Sequence, residues 1–381
     1  MQRYYFDHNA TTPVSPEVLQ AVTPVMTEVY GNASSIHYFG QIARQRLDEA
    51  RRQIASLLSA KPEEIVFTSG GTESDNLAIL GTARSGHVVA TTIEHPAVLG
   101  AITQCASSTL VPVDGRGIVD PDDIRRALRP DTKLVSVMHA NNELGTIQPI
   151  EEIAQIAAEA GIAMHSDGVQ GAGKLPVNVR ETGVAMYSIS GHKFYAPKGA
   201  GALFVRKETK LTPTMFGGHH ERDRRAGTEN VPGAVGLGRA AEWIAEHGPS
   251  EWQRLQELRD RLEQDILDRI PDTHINGAGA PRTPNTSNIR FDGIDSEPLL
   301  IALDLKGFAV SSGSACSSGA TEPSHVLKAI GLSREQARSS IRISLGRSND
   351  ASQVDALVDA LADCVAHLRR IAPAIPAPAY A

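Results

Sequence analysis

Between about residues 60 and 207, six short runs rich in β-branched and apolar residues (65–68, 87–93, 134–139, 162–166, 185–190 and 202–206) alternate with helical patterns such as 73–84 and 150–159. This alternation is the tightest constraint on what the chain can become. Strands separated by helix-length crossovers pair in parallel, and the helices then cover both faces of the sheet. The chain therefore reads as an α/β fold built on a mainly parallel sheet. In such sheets ligands collect beyond the carboxyl ends of the strands. Three polar clusters fall at those ends: Thr68-Ser69-Gly70-Gly71-Thr72, Ser166-Asp167 and Ser190-Gly191-His192-Lys193.

Past this region the pattern changes. Trp252, Leu255, Leu258, Leu262, Ile266 and Ile270 recur at helical spacing and predict one long amphipathic helix leaving the first domain. A turn-rich stretch, 276–284, leads to a smaller α+β pattern with strands expected at 287–291, 308–311 and 340–344. A last helix carries Val354, Leu357, Leu361, Val365 and Leu368 on one face, with Ser348-Asn349-Asp350 as its N-cap, and the Pro- and Ala-rich 371–381 reads as a tail. For 381 residues two cores are the natural division. We place the large domain at 16–255 and the small domain at 1–15 with 256–381.

Charge removes some functions. With 37 Lys and Arg against 44 Asp and Glu there is no broad basic surface, so no nucleic-acid partner is expected. The first residues lack the apolar run of a signal peptide, and no stretch approaches membrane-spanning length. Three widely spaced cysteines, 105, 316 and 364, suit a reducing cytoplasm better than a disulfide framework. Cys105 and Cys364 sit in apolar, helical-looking sequence as small hydrophobes. His219-His220 has no complementary Cys or His spacing, so no metal is expected.

Several residues at the strand ends carry chemistry if the fold brings them together. Lys193 follows an apolar strand into the ligand crevice, where burial would lower its pKa and leave an amine able to attack an aldehyde. A surface lysine at a strand end is the other reading. The Asp167 carboxylate can pair with a protonated ring nitrogen or cap a helix. Gly70-Gly71-Thr72 opens a helix, whose first N–H groups suit a phosphate, although a tight turn alone also explains the glycines. His95 is placed to stack on a ring and move protons, or to be a hydrogen-bonded strand-end histidine. Cys316 lies among serines, glycines and an alanine, either as a thiol open to nucleophilic use or as an incidental cysteine in a serine-rich loop. Arg342 alternates with apolar residues on a strand and needs an anion, either a ligand carboxylate or a structural acid.

Seven motifs in order resemble those of the cysteine desulfurases of NifS/IscS type, which are class V, fold-type I pyridoxal phosphate enzymes. They are Asp7-His-Asn-Ala-Thr-Thr-Pro13, Gly31-Asn-Ala-Ser-Ser-Ile-His37, Phe67-Thr-Ser-Gly-Gly-Thr-Glu-Ser-Asp-Asn76, His139-Ala-Asn-Asn-Glu-Leu-Gly145, Ser188-Ile-Ser-Gly-His-Lys193, Arg225-Ala-Gly-Thr-Glu-Asn230 and Ser311-Ser-Gly-Ser-Ala-Cys316. The resemblance spans about residues 4 to 347. It implies pyridoxal 5'-phosphate joined to Lys193, with Asp167 at its ring nitrogen, Gln170 at its ring hydroxyl and His95 stacked on the ring. Gly71, Thr72, Ser190 and His192 would hold the phosphate, with Thr228 reaching across from the second subunit of a homodimer. Asn32, Asn142 and Arg342 would hold the carboxylate of the L-cysteine substrate. Lys193, His95 and Cys316 would be catalytic, Cys316 receiving sulfur as a persulfide for an acceptor such as an iron–sulfur scaffold protein. The family often has Ala where Gly168 stands, a small-for-small exchange expected to leave the chemistry intact. The alternatives within the fold are a selenocysteine lyase or a cysteine C–S lyase; outside catalysis, a sulfur-carrier or regulatory homologue.

Overall fold

The computed structural model describes residues 2–312 and 323–371. A short β1 (Tyr4–Tyr5) precedes the strands of the main sheet: β2 (Ile65–Thr68), β3 (His87–Thr91), β4 (Ser107–Val111), β5 (Thr132–Ser136), β6 (Ala163–Asp167), β7 (Met186–Ser190) and β8 (Gly201–Val205). Their order is β2-β8-β7-β6-β5-β3-β4, with β8 alone antiparallel to its neighbours. The six other strands thus point the same way, and their carboxyl ends share one edge. The central strands β3, β7 and β8 are buried along their whole length, which is why they read as continuous apolar runs.

The sequence reading overlooked β4, Ser-Ser-Thr-Leu-Val, and the later strand 273–276, Thr-His-Ile-Asn. Both are edge strands with one side toward solvent, so their composition is polar and their apolar signal weak. Two strands end sooner than expected: 92–93 and 137–139 have already left the ladder and turn into the site. Cys105 lies in the turn before β4 rather than in a helix. Cys105 and Cys364 are both free thiols, half-buried and buried respectively.

A second sheet is formed by β9 (Thr273–Asn276), β10 (Thr286–Phe291) and, after β11 (Phe308–Ala309), β12 (Ser340–Ser344), in the order β12-β10-β9 and all antiparallel. Phe6 packs into this smaller core with Ile289, Phe291, Ile341 and Leu361, while β1 pairs with β11. The chain begins in the small core and crosses at Asn9 and Ala10 to the main sheet.

The long helix runs Val231–Arg269, twenty-one residues earlier than the periodicity from Trp252 suggested. Its first half is rich in glycine and alanine, which interrupt the run of large apolar residues. Those glycines serve close approach: a Cβ on Gly238 would lie 2.7 Å from Ala50 Cα in the Tyr38–Leu57 helix. Leu237, Ala241 and Ile244 enter the main core, and Leu255, Leu262 and Ile266 enter the small one. A division at residue 255 therefore falls inside one continuous helix. No helix among the described residues is long and apolar enough to cross a membrane.

The main sheet contains a buried histidine. His165, on β6, bonds Ser136 of β5 at 2.9 Å and Ser188 of β7 at 2.9 Å. Burial pushes its pKa down to about 3. Because the unfolded chain titrates near 6.5, it takes up the proton first as pH falls, so the stability carried here is intact above about pH 6.5 and is lost progressively toward pH 3. Urea midpoints should fall over that window, and His165→Gln, whose amide stays neutral, should flatten the fall. Identical pH slopes for the two proteins would remove His165 as its source.

Candidate active site

The carboxyl edge of the parallel strands collects most of the expected residues. Lys193 ends a single turn, Gly191–Lys193, directly after β7. Its Nζ donates to Asn9 O at 2.7 Å and Ala10 O at 2.9 Å. The side chain is thus aimed at the crossing of the N-terminal segment over the sheet edge, rather than at bulk solvent.

Asp167 ends β6 next to that turn. One carboxylate oxygen accepts Val169 N–H at 2.9 Å, so its capping role is confined to a local turn, with no helix following. Oxygens of Asp75 and Asp167 and a ring nitrogen of His95 all lie within 4.8 Å of one another. Burial raises both carboxyls. Asp75 is held well above the usual range, with Asp167 adding repulsion, while His95 and Lys193 draw Asp167 back down. Of the pair, Asp167 is the one suited to be the anion, and a cation placed against it would lower it further. His95 caps the Pro96–Ile102 helix, its Nδ1 accepting Ala97 N–H at 3.1 Å. That bond places the proton of the neutral ring on Nε2. Gln170 and Lys174 form the floor beside Asn9: Gln170 Nε2 donates to Asn9 O at 3.0 Å and Lys174 Nζ donates to Asn9 Oδ1 at 2.8 Å.

A cradle for an anion adjoins this group. Gly70 has φ +153°, a conformation side chains rarely adopt, and it caps the thirteen-residue Gly71–Ala83 helix. A Cβ on Gly71 would meet Val169 Cγ2 at 2.7 Å and Ser190 Cβ at 3.7 Å. Gly71 and Ser190 therefore converge, with exposed Thr72 next along the helix. His192 bonds Thr11 Oγ1 at 3.1 Å, and burial with the charge of Lys193 pushes it down to about 4, so at neutral pH it is an uncharged donor. Thr228 is exposed, on a loop tied to the same helix by Arg225 and Glu73 at 2.9 Å. A lysine amine, a buried carboxylate beside a histidine and a helix-end cradle together fit a phosphorylated pyridine aldehyde.

On the far side, Arg342 is 2% exposed. Its Nη2 pairs with Asp7 Oδ1 at 2.6 Å, and its Nη1 donates to Asn142 O at 3.0 Å. Of the two readings of Arg342 the structural acid is present, and a ligand carboxylate would have to share the guanidinium with Asp7. Asn32 is exposed and accepts Ser34 N–H at 2.8 Å, outside this bonded pair. Cys316 lies outside the described residues, but the chain on either side of its segment does not. Before it, Ser311 forms a bridge with Arg342. After it, Ser324 Oγ donates to buried Glu143 at 2.6 Å and His325 Nε2 bonds Glu94 O at 3.0 Å. Both flanks are fastened to the site.

Sequence reasoning missed Asn9, Asp75, Glu143 and Lys174. Each stands inside or near a motif already singled out, yet only the fold shows that it is buried. Gly168 has a further meaning. A Cβ there would lie 2.0 Å from the Tyr187 ring, and one on Gly171 would lie 2.6 Å from Tyr187 Oη. Tyr187 fills the space beneath the turn and bonds His139 at 2.7 Å. The exchange of Ala for Gly is therefore not neutral in this chain. Gly168→Ala should destabilise the protein by about 2 kcal/mol through overpacking, and Tyr187→Leu should restore most of that loss. Additive destabilisation in the double variant, measured by urea unfolding, would contradict the steric pairing.

The Aminotransferase class-V family model matches residues 4–357. A protein named cysteine desulfurase IscS from Dictyoglomus turgidum is 47% identical over 378 residues, covering 97% of this chain and 96% of its own. Another of that name from Methanosarcina thermophila is 46% identical over 381 residues, covering 98% of this chain and 94% of its own. Among solved structures, one called a NifS-like protein superposes with a TM-score of 0.90 at 35% identity, covering 96% of this chain and 100% of its own. A NifS-like protein from Rickettsia africae gives a TM-score of 0.88 at 32% identity, covering 95% and 99%.

Proposed function

The chain belongs to the class-V aminotransferase family, among its cysteine desulfurases, and from that premise we propose that it holds pyridoxal phosphate on Lys193 and moves sulfur from L-cysteine to Cys316. The observation that carries this reading is the meeting of Lys193, Asp167 and His95 at one strand edge, beside the Gly71 helix end. When bound, the cofactor supplies an electron sink that weakens the bonds at the substrate α and β carbons.

The protein's own groups do the rest. Asp167 balances charge on the ring nitrogen, with Asp75, its carboxyl raised by burial, behind it. Gly71, Thr72, Ser190 and His192 hold the phosphate through N–H and O–H donors. Gln170 donates toward the ring oxygen. Arg342 and Asn142, helped by Asn32, orient the substrate carboxylate. Lys193 Nζ takes the proton from the substrate α carbon, and His95 donates its Nε2–H to the substrate sulfur. The Cys316 thiolate attacks the substrate sulfur. An S–S bond forms, the C–S bond breaks with its electron pair staying on carbon, and proton return yields L-alanine. The bonds of Ser311 to Arg342 and of Ser324 to Glu143, on the described chain to either side of the Cys316 segment, support this reading.

Three further parts belong to the same proposal. The protein is a homodimer, with Thr228 contributing across the interface; exposed Tyr30, Ile36, Tyr38 and Phe216 supply apolar surface for it. It works in the cytoplasm. The persulfide is delivered to an acceptor such as an iron–sulfur scaffold protein.

Lys193→Ala should abolish the yellow absorbance that borohydride bleaches. Cys316→Ala should keep that absorbance yet produce no alanine from cysteine. Turnover by Cys316→Ala at the native rate would remove Cys316 from the reaction.

A further inference from the structure

Lys174 is enclosed, 7% exposed, and has no part in the chemistry above. It stands at the end of the turn that follows Asp167. Its Nζ donates to two carbonyl oxygens, Asn9 Oδ1 at 2.8 Å and Gln170 Oε1. The Asn9 amide is itself held in orientation, because Asn9 Nδ2 donates to Asn142 O at 3.2 Å and to Thr286 Oγ1 at 2.8 Å. A lysine amine, charged or neutral, has hydrogens for both oxygens it meets. Gln170 must then keep Oε1 toward the lysine and its NH2 away from it. There, Nε2 donates one hydrogen to Asn9 O at 3.0 Å, which leaves a second amide hydrogen.

We propose that Lys174 is a positioning residue: by holding Gln170 Oε1 it fixes the amide so that N–H, and never the carbonyl, is presented to the cofactor ring oxygen. This rests on the reading of Lys193 as the cofactor lysine. The alternative role for Lys174 is to pin Asn9 alone, which would leave Gln170 indifferent to it. Burial, with the nearby charges of Lys193 and Arg342, pushes Lys174 well below the usual lysine range, so the floor of the site gains a donor without requiring a full charge. His8 and His192 are the other titratable groups that feel it, both pushed down to about 4.

The visible absorbance of the purified holoenzyme, followed against pH, separates the two roles. An N–H donor to the ring oxygen stabilises its ionised form and lowers the pH midpoint of the visible band. Lys174→Met should raise that midpoint by about one pH unit, the scale of one charge-assisted hydrogen bond. Gln170→Leu should raise it equally, and the double variant should go no further, because the lysine acts through the glutamine. Lys174→Gln, which still donates, should return the midpoint close to native. Should Lys174→Met fail to fold, Lys174→Thr, too short to reach Gln170, carries the same expectation. A native midpoint in the non-donating variant, or shifts that add in the double variant, would overturn the proposal. A native protein with no visible band would count against the cofactor reading instead.

Discussion

Asn9 uses every polar atom it has. Its N–H donates to Ser344, its carbonyl accepts Gln170 and Lys193, its Oδ1 accepts Lys174 and Asn285, and its Nδ2 donates to Asn142 and Thr286. Gln170, Lys174 and Lys193 follow strands of the main sheet; Asn285, Thr286 and Ser344 lie at or beside strands of the small one. One buried amide thus sets where the two sheets meet and where the lysine points. Its donors and acceptors are fully matched, which is the condition under which a buried polar network rigidifies a structure instead of weakening it.

Around this point the site is built from groups whose charge is decided by their neighbours. Burial raises Asp75 and pushes Glu94 up to about 8, and neither gains from a nearby cation. Asp167, equally enclosed, is attracted by His95 and Lys193. Three carboxyls of one kind therefore have different tasks. Glu94 serves the fold, accepting Thr91 O–H at 2.6 Å and Met138 N–H at 3.1 Å. Placing several carboxyls near one ligand is tolerable when only one of them carries the charge.

What the sequence made legible follows from where its signals are strong. Central strands are apolar on both faces and declare themselves; β4 and β9, at the edges, are half polar and do not. The helix from Trp252 onward shows its stripe, while in its first half glycines and alanines at close backbone approaches break the pattern between Leu237 and Ile244. Strand-end position singled out Lys193, Asp167 and His95, alternation on a strand singled out Arg342, and the family resemblance pointed to Gln170. Asn9 and Lys174 were out of reach, because their meaning lies in burial and in a bond between them that spans 165 residues of chain. Gly168 shows the converse: its family position suggested an indifferent exchange, whereas the ring of Tyr187 in this chain leaves no room for a methyl group.

The helix Val231–Arg269 feeds apolar side chains into both cores along one unbroken backbone. The two halves are consequently inseparable as pieces of inheritance. A cut or a gene fusion placed between the sheets would strip one core of a wall and leave a bare apolar flank on the other. Recombination can change the loops around the site, but the pair of sheets must pass from ancestor to descendant as one unit.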